Sequence, residues 1–378
     1  MPHLPADGHA VKCYVLGLAM YPATSRAGGH RLEEMVYHTA HAALEHAGVT
    51  RRELDHVTLG ACDELDGRSI SSMLMAMPAG AYLVDEIKVT DSAATALCLE
   101  AARLQSEEFD IGLVASWCKT SKTDVEAVMR LRGDPFYTRP FGLNMTLTDA
   151  LLAQAVAQEF GVSATQADQL AVDSFARARS NPRGVNHAPP DIETVRNSAY
   201  EATPLRTLHR APLTDGAVCM VMASERWLRR HPGHRPLARL SGAGMATDSY
   251  RLDHGRLTQF RSARKAWEQA ARIAGIGGVG DLDVMELECP TVYHEAAYTR
   301  VLGLAERTRV CPSGGTFAQN PLFCTGLVGA AEAVLQVAGQ AGPVQVAGAR
   351  LAAAHSCHGY AQQGNVFMIF EQVGGEGA

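Results

Sequence analysis

GVSATQADQLAVDSFARARSNPRG (161–184) and PLRTLHRAPLTDGAVCMVMASE (204–225) are the stretches on which the reading of the fold turns. Ser163 followed by Gln166 has capping-box spacing, so a helix should open there. Asn181-Pro182-Arg183-Gly184 ends it. AVCMVMAS (217–224) then reads as a buried strand. Around these stretches, residues 133–190 hold Gly-, Pro- and Arg-rich turns about two helical segments. The spacing therefore predicts an insertion over 118–210 and a return to a sheet at 217–224.

Outward from the insertion, the chain alternates strands and helices. VKCYVLGLAM (11–20) is a buried strand. RLEEMVYHTAHAALEHA (31–47) places Leu32, Met35, Val36, Ala40, Ala43 and Leu44 on one helical face, and Gly48 stops it. LDHVTLG (54–60) is a strand, 93–105 an apolar helix, and FDIGLVAS (109–116) a buried strand. A β–α–β rhythm implies a parallel or mixed sheet covered by helices. AALEHAGVTRRELDHV (42–57) and QAARIAGIGGVGDLDV (269–284) share a helix, an Ala-Gly turn, Leu-Asp and a strand, which suggests two copies of one α/β unit.

Composition sets the limits. The 378 residues exceed one small module, at about 100–200 residues per domain. Apolar residues at 47% can fill a large core, and a net charge of −6 argues against a general nucleic-acid binder. No apolar run approaches a membrane span, and MPHLPADGHA lacks a secretion signal, so the expected location is cytoplasmic. The nine cysteines are Cys13, Cys62, Cys98, Cys118, Cys219, Cys289, Cys311, Cys324 and Cys357. They form no CxxC and no even framework, so reduced packing thiols are expected, and any nucleophile among them must be argued separately.

Several motifs dissolve on inspection. GIGGVG (275–280) follows a helix and precedes a strand, the reverse of a dinucleotide fingerprint. Ser116-Trp117-Cys118-Lys119 lacks the companions of a penicillin-binding site. His38 and His41 have no third ligand in view, and no metal is expected. CPSGGTFAQNPLFCTGLVGAAEAVLQVAG (311–339) holds glycines at 314 and 315, which permit close backbone approach, and a helix from about Gly326 whose N-terminus suits an oxyanion. HSCHGYAQQGNVFMIF (355–370) sets Cys357, His358, Gly359 and Tyr360 in a turn before a final strand. Thiol, imidazole and phenol together suit proton transfer; the plainer reading is a turn with a buried cysteine.

These segments resemble the thiolase superfamily, closest to the sterol-carrier type. The resemblance rests on Asn181-Pro182-Arg183, Pro204-Leu205, Asp215-Gly216-Ala217, the PSGG…NPLFCTG block, HSCHGY and DHVTLG (55–60). It covers nearly the whole chain. It implies an α/β thiolase fold: two duplicated five-stranded halves, 1–225 and 226–378, in a layered α-β-α-β-α body with a loop domain inserted at about 118–210. It also implies an acyl-CoA or acyl-carrier thioester as substrate, with no bound cofactor. Gly314 and Gly315 would line the binding side.

The site residues follow position by position. The family places a nucleophilic cysteine at the start of the helix after its third strand. In IKVTDSAATALCLEAARLQSEEFD the matching position is Thr90, or Asp91 or Ser92 on a shifted alignment; Cys98 lies two turns into the helix. The family histidine of Gly-His-Pro falls on Asn320, whose amide can donate to an oxyanion. The family's Asn-Glu or His-Asp pair falls on Glu288-Cys289. Cys357 matches the second, acid–base cysteine, with His358 and Tyr360 beside it. Classical thiolysis is therefore not expected. The resemblance points to aldolase- or Claisen-like C–C chemistry or acyl transfer without a cysteine acyl-enzyme, in lipid or secondary metabolism. The other reading is a catalytically silent subunit that stabilises or gates a partner thiolase or ketosynthase. A homodimer, and a small OB-fold/zinc-ribbon partner, are family expectations.

Overall fold

In the computed structural model, residues 13–90, 92–304 and 307–374 are described. The strands are β1 (Cys13–Met20), β2 (His56–Gly60), β3 (Asp85–Val89), β4 (Ile111–Lys119), β5 (Tyr200–Ala202), β6 (Leu205–Arg206), β7 (Asp215–Ser224), β8 (Ala238–Thr247), β9 (Val284–Glu286), β10 (Arg309–Val310), β11 (Leu351–His358) and β12 (Gly364–Glu371). Ten of them form one sheet, ordered β10-β9-β11-β12-β8-β1-β7-β4-β2-β3, and β5 pairs with β6 apart from it.

The order reads the same outward from its middle: β1-β7-β4-β2-β3 on one side, β8-β12-β11-β9-β10 on the other. The senses match as well. β7 runs antiparallel to both β1 and β4, while β4, β2 and β3 are parallel; β12 runs antiparallel to both β8 and β11, while β11, β9 and β10 are parallel. β1 meets β8 through three antiparallel pairs, Cys13↔Leu240 to Val15↔Ala238.

Alternation along the strands builds the layers. On β7, Val218, Met220 and Met222 enter the central core, while Ala217, Cys219, Val221 and Ala223 face the outer one. On β12, Val366, Met368 and Phe370 face the same central core, and Phe367 and Ile369 a second outer one. Helices 93–105 and 325–337 fill the central layer. Helix 32–47 covers the first five strands and helix 261–274 the second five. Both outer helices sit directly on glycines. A Cβ at Gly17 would fall 2.4 Å from the Ala47 nitrogen, and one at Gly244 would fall 2.2 Å from the Ala266 carbonyl.

Helices 145–160 and 164–180 belong to the inserted stretch. The Ser163 hydroxyl accepts from the Gln166 amide, and the Gln166 side chain accepts from the Ser163 amide, as the spacing predicts. One element differs from its sequence reading. Cys357 and His358 are not in a turn; they close β11, and the turn spans 359–363. The full cross-strand ladder with β12, down to His358↔Gly364, holds them extended.

Candidate active site

Four pieces of chain meet at one end of the central layer. They are the N-termini of helices 93–105 and 325–337, the end of β11, and the extended segment after β9. Gly326 marks the junction: a Cβ there would lie 2.3 Å from Ser356 Oγ and 3.1 Å from Ala94 Cβ. Two 13-residue helices thus direct their free N–H groups and positive dipole ends toward the last residues of β11.

Glu288 supplies the charge. Its Oε2 accepts from Ser356 Oγ at 2.7 Å and from the Cys357 amide at 3.3 Å. The residue is half-buried, and its carboxyl lies deep in the protein. Desolvation pushes it from the ordinary 4.5 up to about 8, with the two hydrogen bonds acting in the other direction. It is therefore an acid that exchanges its proton near neutral pH.

Cys357 is the one cysteine of the nine that is not buried. Burial of its sulfur and the neighbouring Glu288 push the thiol well above 9, while hydrogen bonding with Tyr298 acts downward. Its thiol also reaches the Glu288 carbonyl at 3.7 Å. Tyr298, fully buried, donates to Asn365 Oδ1 at 3.1 Å; His355 contacts the same oxygen at 2.8 Å. His355 is pushed down to about 4 by burial, so the neutral ring is the resident form. Sequence reading passed over Tyr298, Asn365 and His355, because their contacts join residues far apart in the chain.

The alternation that places Glu288 also explains Cys289. From Val284 onward, Val284, Glu286 and Glu288 face the central side, while Met285, Leu287 and Cys289 enter the outer core. Cys289 is 2% exposed, and its amide donates to Thr316 Oγ1 at 2.8 Å. Glu288 thus hydrogen-bonds directly to Ser356 and the Cys357 amide, while the Cys289 side chain packs in the outer core, its thiol pKa raised first by burial and also by Cys357, still close by. The signal was present in MELECP as a period of two.

The other sequence candidates occupy varied places. Thr90 is exposed in the loop after β3, and Asp91 lies outside the described residues. Ser92 is buried as the N-cap of helix 93–105, its hydroxyl accepting from the Thr95 amide at 3.4 Å. Asn320 is 6% exposed; its amide nitrogen donates to the Ala211 carbonyl at 3.2 Å and its oxygen accepts from Thr325 Oγ1 at 3.2 Å, which commits one of its two amide hydrogens. His358 is half-buried, its ring lying over Gly364. The Tyr360 hydroxyl donates to the Met129 carbonyl in helix 125–132. Arg256, 1% exposed, holds the same turn by donating to the carbonyls of Tyr360 and Ala361 at 3.0 and 2.8 Å. Gly314 and Gly315 have positive φ, +84° and +51°. The close approach at Gly314 is to Ala178, 2.3 Å from a built Cβ, so its lack of a side chain serves helix packing.

Among the described residues, no group of three or more His, Cys, Asp or Glu side chains is gathered as a metal would require. No helix among them is long and apolar enough to cross a membrane.

Comparison with known proteins adds to this geometry. Residues 14–187 match the family model "Thiolase, N-terminal domain". The chain is 26% identical over 351 residues to an acetyl-CoA acetyltransferase of Methanothermobacter thermautotrophicus, covering 86% of this chain and 91% of that one. It is 27% identical over 222 residues to sterol carrier protein 2 of Gallus gallus, covering 53% of this chain and 40% of that one. A solved structure described as Ltp2-ChsH2(DUF35) aldolase superposes with a TM-score of 0.77 at 16% identity, covering 96% of this chain and 98% of that one.

Proposed function

The chain belongs to the thiolase superfamily, and from that premise we propose that it is an enzyme acting on acyl thioesters, acyl-CoA or acyl-carrier, that makes or breaks a C–C bond without a cysteine acyl-enzyme. The observation that carries this reading is the Glu288 carboxyl. Burial pushes it up to about 8, and it accepts from Ser356 and from the Cys357 amide where Gly326 closes on Ser356. In the retro-aldol direction, the Glu288 carboxylate takes the proton of a β-hydroxyl. The Cα–Cβ bond breaks to a carbonyl product and a thioester enolate, and the proton returns to Cα. The N-termini at Ser92 and Gly326, with the second amide hydrogen of Asn320, stabilise the oxyanion. Cys357 stays a thiol, since its pKa lies well above 9, and serves as a local proton donor. The stretch from Asp85 to Leu97 contains no cysteine, which supports Thr90, Asp91 or Ser92 in the family's nucleophile position. Ser92, already a cap, and Thr90, exposed and without a base, are weak acyl acceptors.

A second reading is a silent subunit that stabilises or gates a partner thiolase or ketosynthase. It is favoured by the committed groups: the Tyr360 hydroxyl is spent on Met129 and one Asn320 amide hydrogen on Ala211.

Division into halves at 225/226, a cytoplasmic location and a homodimer belong to the same proposal. The dimer is supported by β3, a sheet edge flanked by exposed Met73, Met77, Tyr82, Leu83 and Ile87. Two-fold antiparallel pairing about Ile87 would set Glu86, whose Oε1 has no hydrogen-bond partner, opposite Lys88 of a second copy. An OB-fold/zinc-ribbon partner is suggested by the structural relative, whose name joins a DUF35 component to an aldolase.

The test is incubation in D2O with acyl-CoA and β-hydroxyacyl-CoA, alone and with a DUF35 protein. Deuterium entering the α-carbon, or cleavage of the β-hydroxy substrate, with both lost in Glu288→Gln, supports the enzyme. Neither reaction, with tight binding to an active homologue, overturns it in favour of the silent subunit.

A further inference from the structure

At the end of β4 lies a cleft of about 310 Å³ lined by Arg31, Glu33, Asp66, Arg68, Lys119 and Lys122, together with Leu32 and Leu65. β4 alternates here as elsewhere: Trp117 faces the outer core and Cys118 the central one, so Lys119 falls on the outer side, away from Glu288. Four cations face two carboxylates. The carboxylates are already engaged: Glu33 pairs with Arg68 Nη2 at 2.7 Å, and Asp66 accepts from the Trp117 indole at 2.9 Å.

Beyond the Arg68–Glu33 pair, the other three cations make no ion pair among the described residues. Lys119 is only 5% exposed and, among the described residues, makes no ion pair; its ammonium donates to the His30 carbonyl. Burial works against its charged form, as do the neighbouring Lys122 and Arg26 cations, while Asp215 and Glu34 favour it. Arg68 Nη1 is buried with no hydrogen-bond partner. Arg31 and Lys122 make no ion pair among the described residues. The 16-residue helix 32–47 starts at the same cleft and adds its N-terminal dipole.

We propose that this cleft binds a phosphate-type oxyanion, free or as a monoester, which takes up the free Nη1 of Arg68 and meets the Lys119 ammonium while Lys122 and Arg31 close over it. A guanidinium nitrogen and two ammonium groups suit a tetrahedral dianion. The proposal does not rest on the acyl-thioester reading, since Glu288 is not among the residues that line the cleft.

Calorimetric titration of the whole chain with inorganic phosphate, pyrophosphate and glycerol 3-phosphate, against chloride at equal ionic strength, tests it. Saturable phosphate binding is expected, weakened about tenfold in each of Lys119→Met and Lys122→Ala and unchanged in Glu288→Gln. Glycerol 3-phosphate binding as tightly as free phosphate assigns an organic monoester; weaker binding assigns the free ion. Lys122→Ala, at an exposed position, keeps the test valid where Lys119→Met fails to fold. Binding no stronger than chloride, or unaltered in the folded variants, overturns the proposal.

Discussion

Glu288 holds its proton through the neutral range because burial denies its anion water while, among the described residues, two donors reach it, Ser356 Oγ and the Cys357 amide. Between pH 4.5 and about 8 the folded chain therefore carries a proton there that the unfolded chain has lost. Stability must fall as pH rises across that window, since the native state binds more protons than the unfolded one, by at most on the order of 1 kcal/mol per pH unit for one such group. Glu286, also pushed up to about 8, adds a second contribution of the same sign. Glu288→Gln is expected to flatten the decline, measured as urea midpoints from pH 5 to 8, and to lower α-proton exchange by roughly 100-fold or more. A slope unchanged by the substitution would contradict the assignment. At Cys357 the expected result is selective alkylation by iodoacetamide among the nine thiols, slow below pH 9. Tyr298→Phe should slow it further, because the tyrosine contact lowers the thiol pKa. Peptide mapping by mass spectrometry reads both effects.

At the scale of elements, the two glycine contacts carry a paired expectation. Gly17→Ala and Gly244→Ala each drive a Cβ into helix backbone at 2.4 and 2.2 Å, so each should cost about 1–3 kcal/mol and lower Tm alike in the two halves. Ser163→Ala removes one cap hydrogen bond and should cost about 1 kcal/mol, seen in the same melts. These elements were readable because local chemistry specifies them. The helix at 93–105 and the capping box at 163–166 were located to the residue. What local chemistry leaves open is the face a residue takes and its distant partners. Cys289 stood out by residue type, yet its neighbour Glu288 turns inward, one step of pleat away. Asn320 was readable as a polar residue before a proline, but Ala211, 109 residues earlier, decides how its amide is spent. The alanine run before His355 carries no strand signal of its own; pairing with β9 and β12 makes it one.

Over the whole molecule, the edge at β3 concentrates exposed apolar side chains that a solitary chain would leave wet. Leu83→Glu with Ile87→Lys is expected to convert a dimer to a monomer in sedimentation equilibrium without altering the far-UV spectrum; an unchanged mass would sink the β3 interface. The palindromic strand order was foreshadowed by the short repeat at 42–57 and 269–284, whereas the joining of both sets of five through β1 and β8 depends on three residue pairs that no sequence pattern marks. The hydrogen bond from Tyr360 to the Met129 carbonyl has a consequence for how such a protein can change. It latches the turn after Cys357 to a helix of the inserted stretch, so a substitution in 125–132 that displaces that carbonyl shifts the turn without touching it directly. A change of shape in that helix would then be carried to the end of β11, and the two segments could not vary independently.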